Sequence, residues 1–96
     1  MPDALNEHTV YGYHIYFWSN ENEPLEPIHV HVSKNPHANA TKFWILSDGT
    51  LLQENNNDNI PINDLKRLVH FVSLERNIKI AKKNWVNHFG EISFKK

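Results

Sequence analysis

Hydrophobic and polar positions divide the chain into an alternating half and a helical half. In Glu26–Ser33, Ile28, Val30 and Val32 alternate with His29, His31 and Ser33, the period of two that gives a strand two different faces. Val10–Trp18 is short and rich in aromatic and β-branched residues, which predicts another strand, with Tyr13, Ile15 and Phe17 on one face and His14, Tyr16 and Trp18 on the other. The acidic, proline-containing stretch Ser19–Pro27 reads as a long hairpin connection between the two. Thr41–Leu46 predicts a third strand. Asp48-Gly49 then supplies a tight turn and Leu51–Glu54 a return strand.

Past the polar Asn55–Asn59, read as a linker, the period changes. Asn63 is a candidate N-cap with Asp64 at the first helical position, and Leu65, Leu68, Val69, Phe71 and Val72 form an apolar helical stripe to about Glu75. A second helix, from Asn77 or Ile78 to Phe89, places Ile78, Ala81, Trp85 and Phe89 together and stops at Gly90. Arg76-Asn77 marks either a kink or a break between them. Residues 1–9 read as a loose lead-in, and Glu91–Lys96 as a short extra edge strand.

The implied class is α+β: a small antiparallel sheet of three to four strands followed by two C-terminal helices packed on one face. The chain is expected to form a single domain over residues 1–96, with a strand half at about 10–54 and a helical half at about 62–90. Ile15, Phe17, Ile28, Val30, Val32, Phe43 and Ile45 should face the helices. The opposite face then carries His14, Tyr16, Trp18, His29, His31, Lys42 and Trp44.

No apolar run approaches the roughly 20 residues of a membrane span, and the first residues lack the pattern of a secretory signal. There is no cysteine. A cytoplasmic protein fits these features, and any metal must use His, Asp or Glu. Charge is uneven: residues 1–64 carry two basic and nine acidic groups, net −7, whereas residues 65–96 carry eight basic and two acidic, net +6. Such asymmetry suits attraction between the halves, within one fold or between copies, as well as a basic surface for nucleic acid through Lys79, Lys82 and Lys83.

His29 and His31 are the strongest candidates for chemistry. Two imidazoles on one strand face can chelate a divalent transition metal if His14, Glu26 or His37 adds a third ligand. Without a metal, they can exchange protons in phosphate chemistry. They can also be structural, because His-x-His is a weak pattern beside a full three-ligand motif. No cofactor is predicted, and a metal remains the alternative. Trp18, Trp44 and Tyr16 beside Lys42 fit a buried aromatic cluster or a protein interface, or else a platform for unpaired bases. P-loop, dinucleotide, nucleophile-elbow and zinc-protease motifs are all missing from the sequence.

Tyr11–Glu21 (YGYHIYFWSNE), Glu26–Val32 (EPIHVHV), Ala40–Leu46 (ATKFWIL) and Asn84–Gly90 (NWVNHFG) resemble, in order and spacing, the small prokaryotic family called domain of unknown function 4160 (DUF4160). Ile28 stands where the family's second proline is expected. The resemblance implies an interaction protein, one component of a toxin–antitoxin-like pair encoded with another small protein. On that reading the His/aromatic sheet face or a sheet edge docks the partner. The alternative is a small His-dependent, metal-assisted or metal-free nuclease or hydrolase acting on RNA through His29 and His31. A homo-oligomer is compatible with either.

Overall fold

A computed structural model of the chain describes residues 2–18 and 25–95. Its elements are β1 (His14–Tyr16), β2 (His29–Ser33), β3 (Thr41–Ile45), β4 (Leu51–Asn55), α1 (Ile62–Ser73) and α2 (Glu75–Phe89). The strands form one antiparallel sheet in the order β1-β2-β3-β4. Tyr16 pairs with His31, and His31 with Lys42, while His29 pairs with Trp44. Side-chain alternation therefore places Tyr16, His29, His31, Lys42 and Trp44 on one face.

The opposite face is the core. Ile15, Phe17, Ile28, Val30, Val32, Phe43 and Ile45 pack with Leu65, Leu68 and Val72 of α1 and Ile78, Ala81 and Trp85 of α2. Burial of each large apolar side chain contributes roughly 1.5–3 kcal/mol, so this face holds the helices on the sheet. Among the described residues no helix is long and apolar enough to cross a membrane.

Local structure corrects several expectations. The aromatic N-terminal stretch is not one strand from Val10. Tyr11 and Gly12 both have positive φ (53° and 83°), and Val10 and Tyr13 exchange backbone hydrogen bonds of 2.8 and 2.9 Å, the arrangement of a tight primed turn. Nor are the first residues loose. Asp3 bridges to Tyr16, Ala4 N–H donates to the Ile15 carbonyl and Phe17 N–H to that of Pro2, and Ala4 and Leu5 are buried. They lie along the outer side of β1.

The helical break falls at Leu74, which has extended backbone (φ −57°, ψ 138°), rather than at Arg76-Asn77. Asn77 is buried and its Nδ2 donates to the Phe71 carbonyl at 2.8 Å, satisfying an acceptor that α1 leaves at its end. Asn63 is not the cap of α1. The helix begins at Ile62 after Pro61 with no side-chain cap, while Asp64 accepts from Tyr13 Oη at 2.9 Å and from Arg67 at 2.8 Å. Gly90, with φ 85°, stops α2 as expected.

Asn55–Asn59 forms a hydrogen-bonded turn instead of a plain linker. Asn56 Oδ1 accepts from Thr41 Oγ1 and Ile60 N–H, and its Nδ2 donates to the Ile60 carbonyl. After Gly90 the chain makes no strand among the described residues. It still reaches the sheet, where Ile28 N–H donates to the Ser93 carbonyl at 2.9 Å. The acidic connection from Ser19 to Pro24 lies outside the described residues.

Candidate functional site

Pairing of β2 between β1 and β3 sets His29 and His31 side by side, with ring centroids 5.3 Å apart and the rings nearly perpendicular. The face that holds them is largely buried. His29 is 5 % exposed, His31 6 % and Tyr16 0 %, and Trp44 is buried as well. Trp85, reaching from α2, lies 5.3 Å from His29, and Tyr16 stacks on His31 at 5.7 Å. Tyr16 is fixed in turn by the loop after β2, donating to the His37 carbonyl at 2.9 Å and accepting from His37 N–H at 3.0 Å.

Both imidazoles are anchored through one nitrogen. His29 Nδ1 lies 2.9 Å from the Pro27 carbonyl and His31 Nδ1 3.2 Å from that of Ala40. A carbonyl only accepts, so each Nδ1 carries the proton and each Nε2 keeps its lone pair. Burial pushes the His29 pKa down to about 4, the Pro27 carbonyl partly opposing it and the charges of Lys42 and His31 adding to it. His31 is lowered for the same first reason, against the Ala40 carbonyl and with help from Lys42. The pair is neutral at pH 7.

A cavity of about 500 Å³ opens onto the pair, lined also by Trp18, Glu26, Lys42, Glu54, Asn55 and Asn57. Lys42 donates to Glu26 at 2.9 Å. Burial raises the Glu26 pKa, but the Lys42 hydrogen bond and charge outweigh it and hold the carboxyl below its usual value. The Lys42 ammonium also sits 4.2 Å from the Trp44 ring, with Lys95 at 4.9 Å. Trp44 Nε1–H donates to Glu54 at 2.8 Å. The cleft thus combines two lone-pair imidazoles with a lysine, two carboxylates, amides and a half-exposed indole.

His29, His31, Trp18, Lys42 and Glu26 line this cleft, with Tyr16 stacked on His31 and Trp44 beneath Lys42. Of the third ligands expected for a metal there, His14 and His37 lie elsewhere. His14 pairs across from Ser33 and its ring packs against His8 at 4.8 Å. His37 is held by Asp58 at 2.8 Å, lining a separate cavity of about 420 Å³ with Lys34 and Tyr13. Glu26, already hydrogen-bonded to Lys42, lies 3.6 Å from His29 at Nδ1, the nitrogen committed to Pro27. On the basic helix, Lys79 pairs with Glu75 at 3.3 Å and Lys82 lies 5.3 Å from the Phe94 ring, while Lys83 is exposed.

Glu54, Trp85 and Lys95 were not anticipated. Alternation along β4 signals Glu54, because Leu52 opposes Trp44 and Glu54 is two residues on. Trp85 and Lys95 reach the face through the packing of distant segments and leave no local signal.

No curated protein and no solved structure gives a significant match to the chain. The family model described as Domain of unknown function (DUF4160) matches residues 12–85, a stretch that includes every strand and all of α1. It contains the His29/His31 pair and ends at Trp85, whose ring packs against His29, and the protein belongs to that family.

Proposed function

We propose that this protein is a small interaction module, one component of a toxin–antitoxin-like pair, which takes an extended segment of its partner protein onto the open edge of β4. The unequal treatment of the two sheet edges carries this reading. Residues 2–4 lie along β1, whereas among the described residues β4 has β3 as its only neighbouring strand. An uncovered edge is a template for strand addition. Leu52, 44 % exposed, offers that strand an apolar contact. Asp48, Glu54 and Asp58 on and beside β4, within a stretch of net charge −7, favour a basic segment.

The test uses the small protein encoded beside this chain, the partner implied by the resemblance. A purified complex should form, and Leu52→Lys should weaken it at least tenfold, because lysine blocks edge pairing and repels a basic strand. His29→Gln should leave it unchanged. Lack of a complex refutes partner binding, and an unaffected Leu52→Lys complex refutes the edge. Self-association abolished by Leu52→Lys would instead assign the edge to a second copy.

A second reading rests on the cleft. Two neutral imidazoles with free Nε2 lone pairs beside Lys42 and Trp18 suit a general base, an anion contact and a stacking surface for RNA hydrolysis. RNA turnover lost in His29→Gln with His31→Gln would support it. Equal turnover in that variant, or none in the wild type, would remove it.

A further inference from the structure

Across the same face from the cleft, the N-terminal segment builds a second cluster. The bridge from Asp3 to Tyr16 sets Asp3 on the side of the sheet that His14, two residues from Tyr16, also faces. The turn at Tyr11-Gly12 returns the chain so that the His8 ring meets the His14 ring edge-on at 4.8 Å. One ligand atom from each of Asp3, His8 and His14 then lies within 4.8 Å of the other two.

Internal hydrogen bonds do not satisfy this group. His8 Nδ1 is 3.4 Å from Asp3 Oδ2, beyond the usual range for an N–H···O bond. Among the described residues His14 Nδ1, a buried atom, has no hydrogen-bond partner, an arrangement that ordinarily requires an explanation. Two imidazoles and one carboxylate are a complete set of protein ligands for an open tetrahedral site. Bond lengths of about 2.0–2.1 Å need the donors closer than they now stand. His8, with a side chain 78 % exposed, is free to move inward.

We infer that Asp3, His8 and His14 bind one divalent transition-metal ion of the zinc class, which clamps the N-terminal segment onto β1. Nitrogen and oxygen donors without thiolate suit zinc, cobalt or nickel. The ion would tie the His14 imidazole to Asp3 and His8 and hold residues 2–8 over the outer edge of the sheet. Asp3 and His8 precede the family match at residues 12–85, whereas His14 lies within it, so two of the three ligands come from the segment before the match. It does not depend on partner binding or on hydrolysis.

Tag-free protein titrated with zinc chloride by calorimetry, and with cobalt(II) by visible absorption, tests the assignment. One equivalent should bind, with cobalt bands in the intensity range of a four-coordinate nitrogen–oxygen site. His8→Ala should lower affinity at least tenfold and remove those bands with the far-ultraviolet circular dichroism unchanged, since His8 is exposed. Asp3→Asn should weaken binding in the same direction, and His29→Gln with His31→Gln should leave it intact. Absence of binding to the wild type overturns the inference. So does affinity unaltered by His8→Ala, or affinity lost only in the His29/His31 variant.

Discussion

Acid should destabilise this protein through His29 before its carboxylates titrate. The buried ring has a pKa of about 4 in the fold against an ordinary value of 6.5. Because the folded value is depressed, the unfolded chain binds the proton more readily between these limits, and stability is lost as pH falls through that window. One pKa unit corresponds to about 1.36 kcal/mol. From pH 7 to 4.5 the His29 contribution therefore amounts to about 2 kcal/mol, or roughly 10 °C in Tm for a domain of this size. His31 shifts in the same direction. Glu26, Asp48 and Asp64, whose pKa values are lowered, contribute stability that is lost only at lower pH. Urea unfolding of the wild type and His29→Gln at pH 7, 6, 5.5, 5 and 4.5 isolates the effect. The wild type should lose about 2 kcal/mol more than the variant over that range. Identical pH profiles, or an NMR titration of the His29 ring near 6.5, would refute the argument.

Three substitutions test the structural corrections. Leu5→Ala should cost about 2–5 kcal/mol in chemical denaturation, because Leu5 is buried in the core; a loose N-terminus would make it neutral. Asn77→Ala should cost about 1–3 kcal/mol by stripping the Phe71 carbonyl of its side-chain donor, whereas an unchanged midpoint would deny that contact a role. Gly90→Ala should cost about 1 kcal/mol: φ is +85° and none of the described residues lies within 4 Å of the added Cβ, so the penalty is conformational. A gain in Tm would contradict the left-handed cap.

Period and turn chemistry made the sheet and helices legible. Ile28, Val30 and Val32 alternate because one face of β2 meets the helices, and the apolar stripes of α1 and α2 are their complements. Gly90 ends α2 for a reason carried by its own backbone. Less local features were misread. Tyr11-Gly12 resembles strand sequence, yet the chain turns there because both residues adopt positive φ. Asn77 looks like an ordinary helix residue until its amide is seen at the Phe71 carbonyl.

At the candidate site, local sequence determined which side chains share a face, since alternation and pairing leave His29, His31, Tyr16, Lys42 and Trp44 no other arrangement. Tertiary structure alone decided their state. Trp85 arrives from another layer, and the carbonyls of Pro27 and Ala40 are positioned by loops. Together they turn two ordinary histidines into buried, neutral bases. The same distinction separates His14 from the pair: its type is visible in the sequence, but its neighbours are set by the path of residues 2–13 across the sheet edge. Residue type and spacing fix which groups a strand presents, while desolvation and partner geometry depend on atoms distant in the chain.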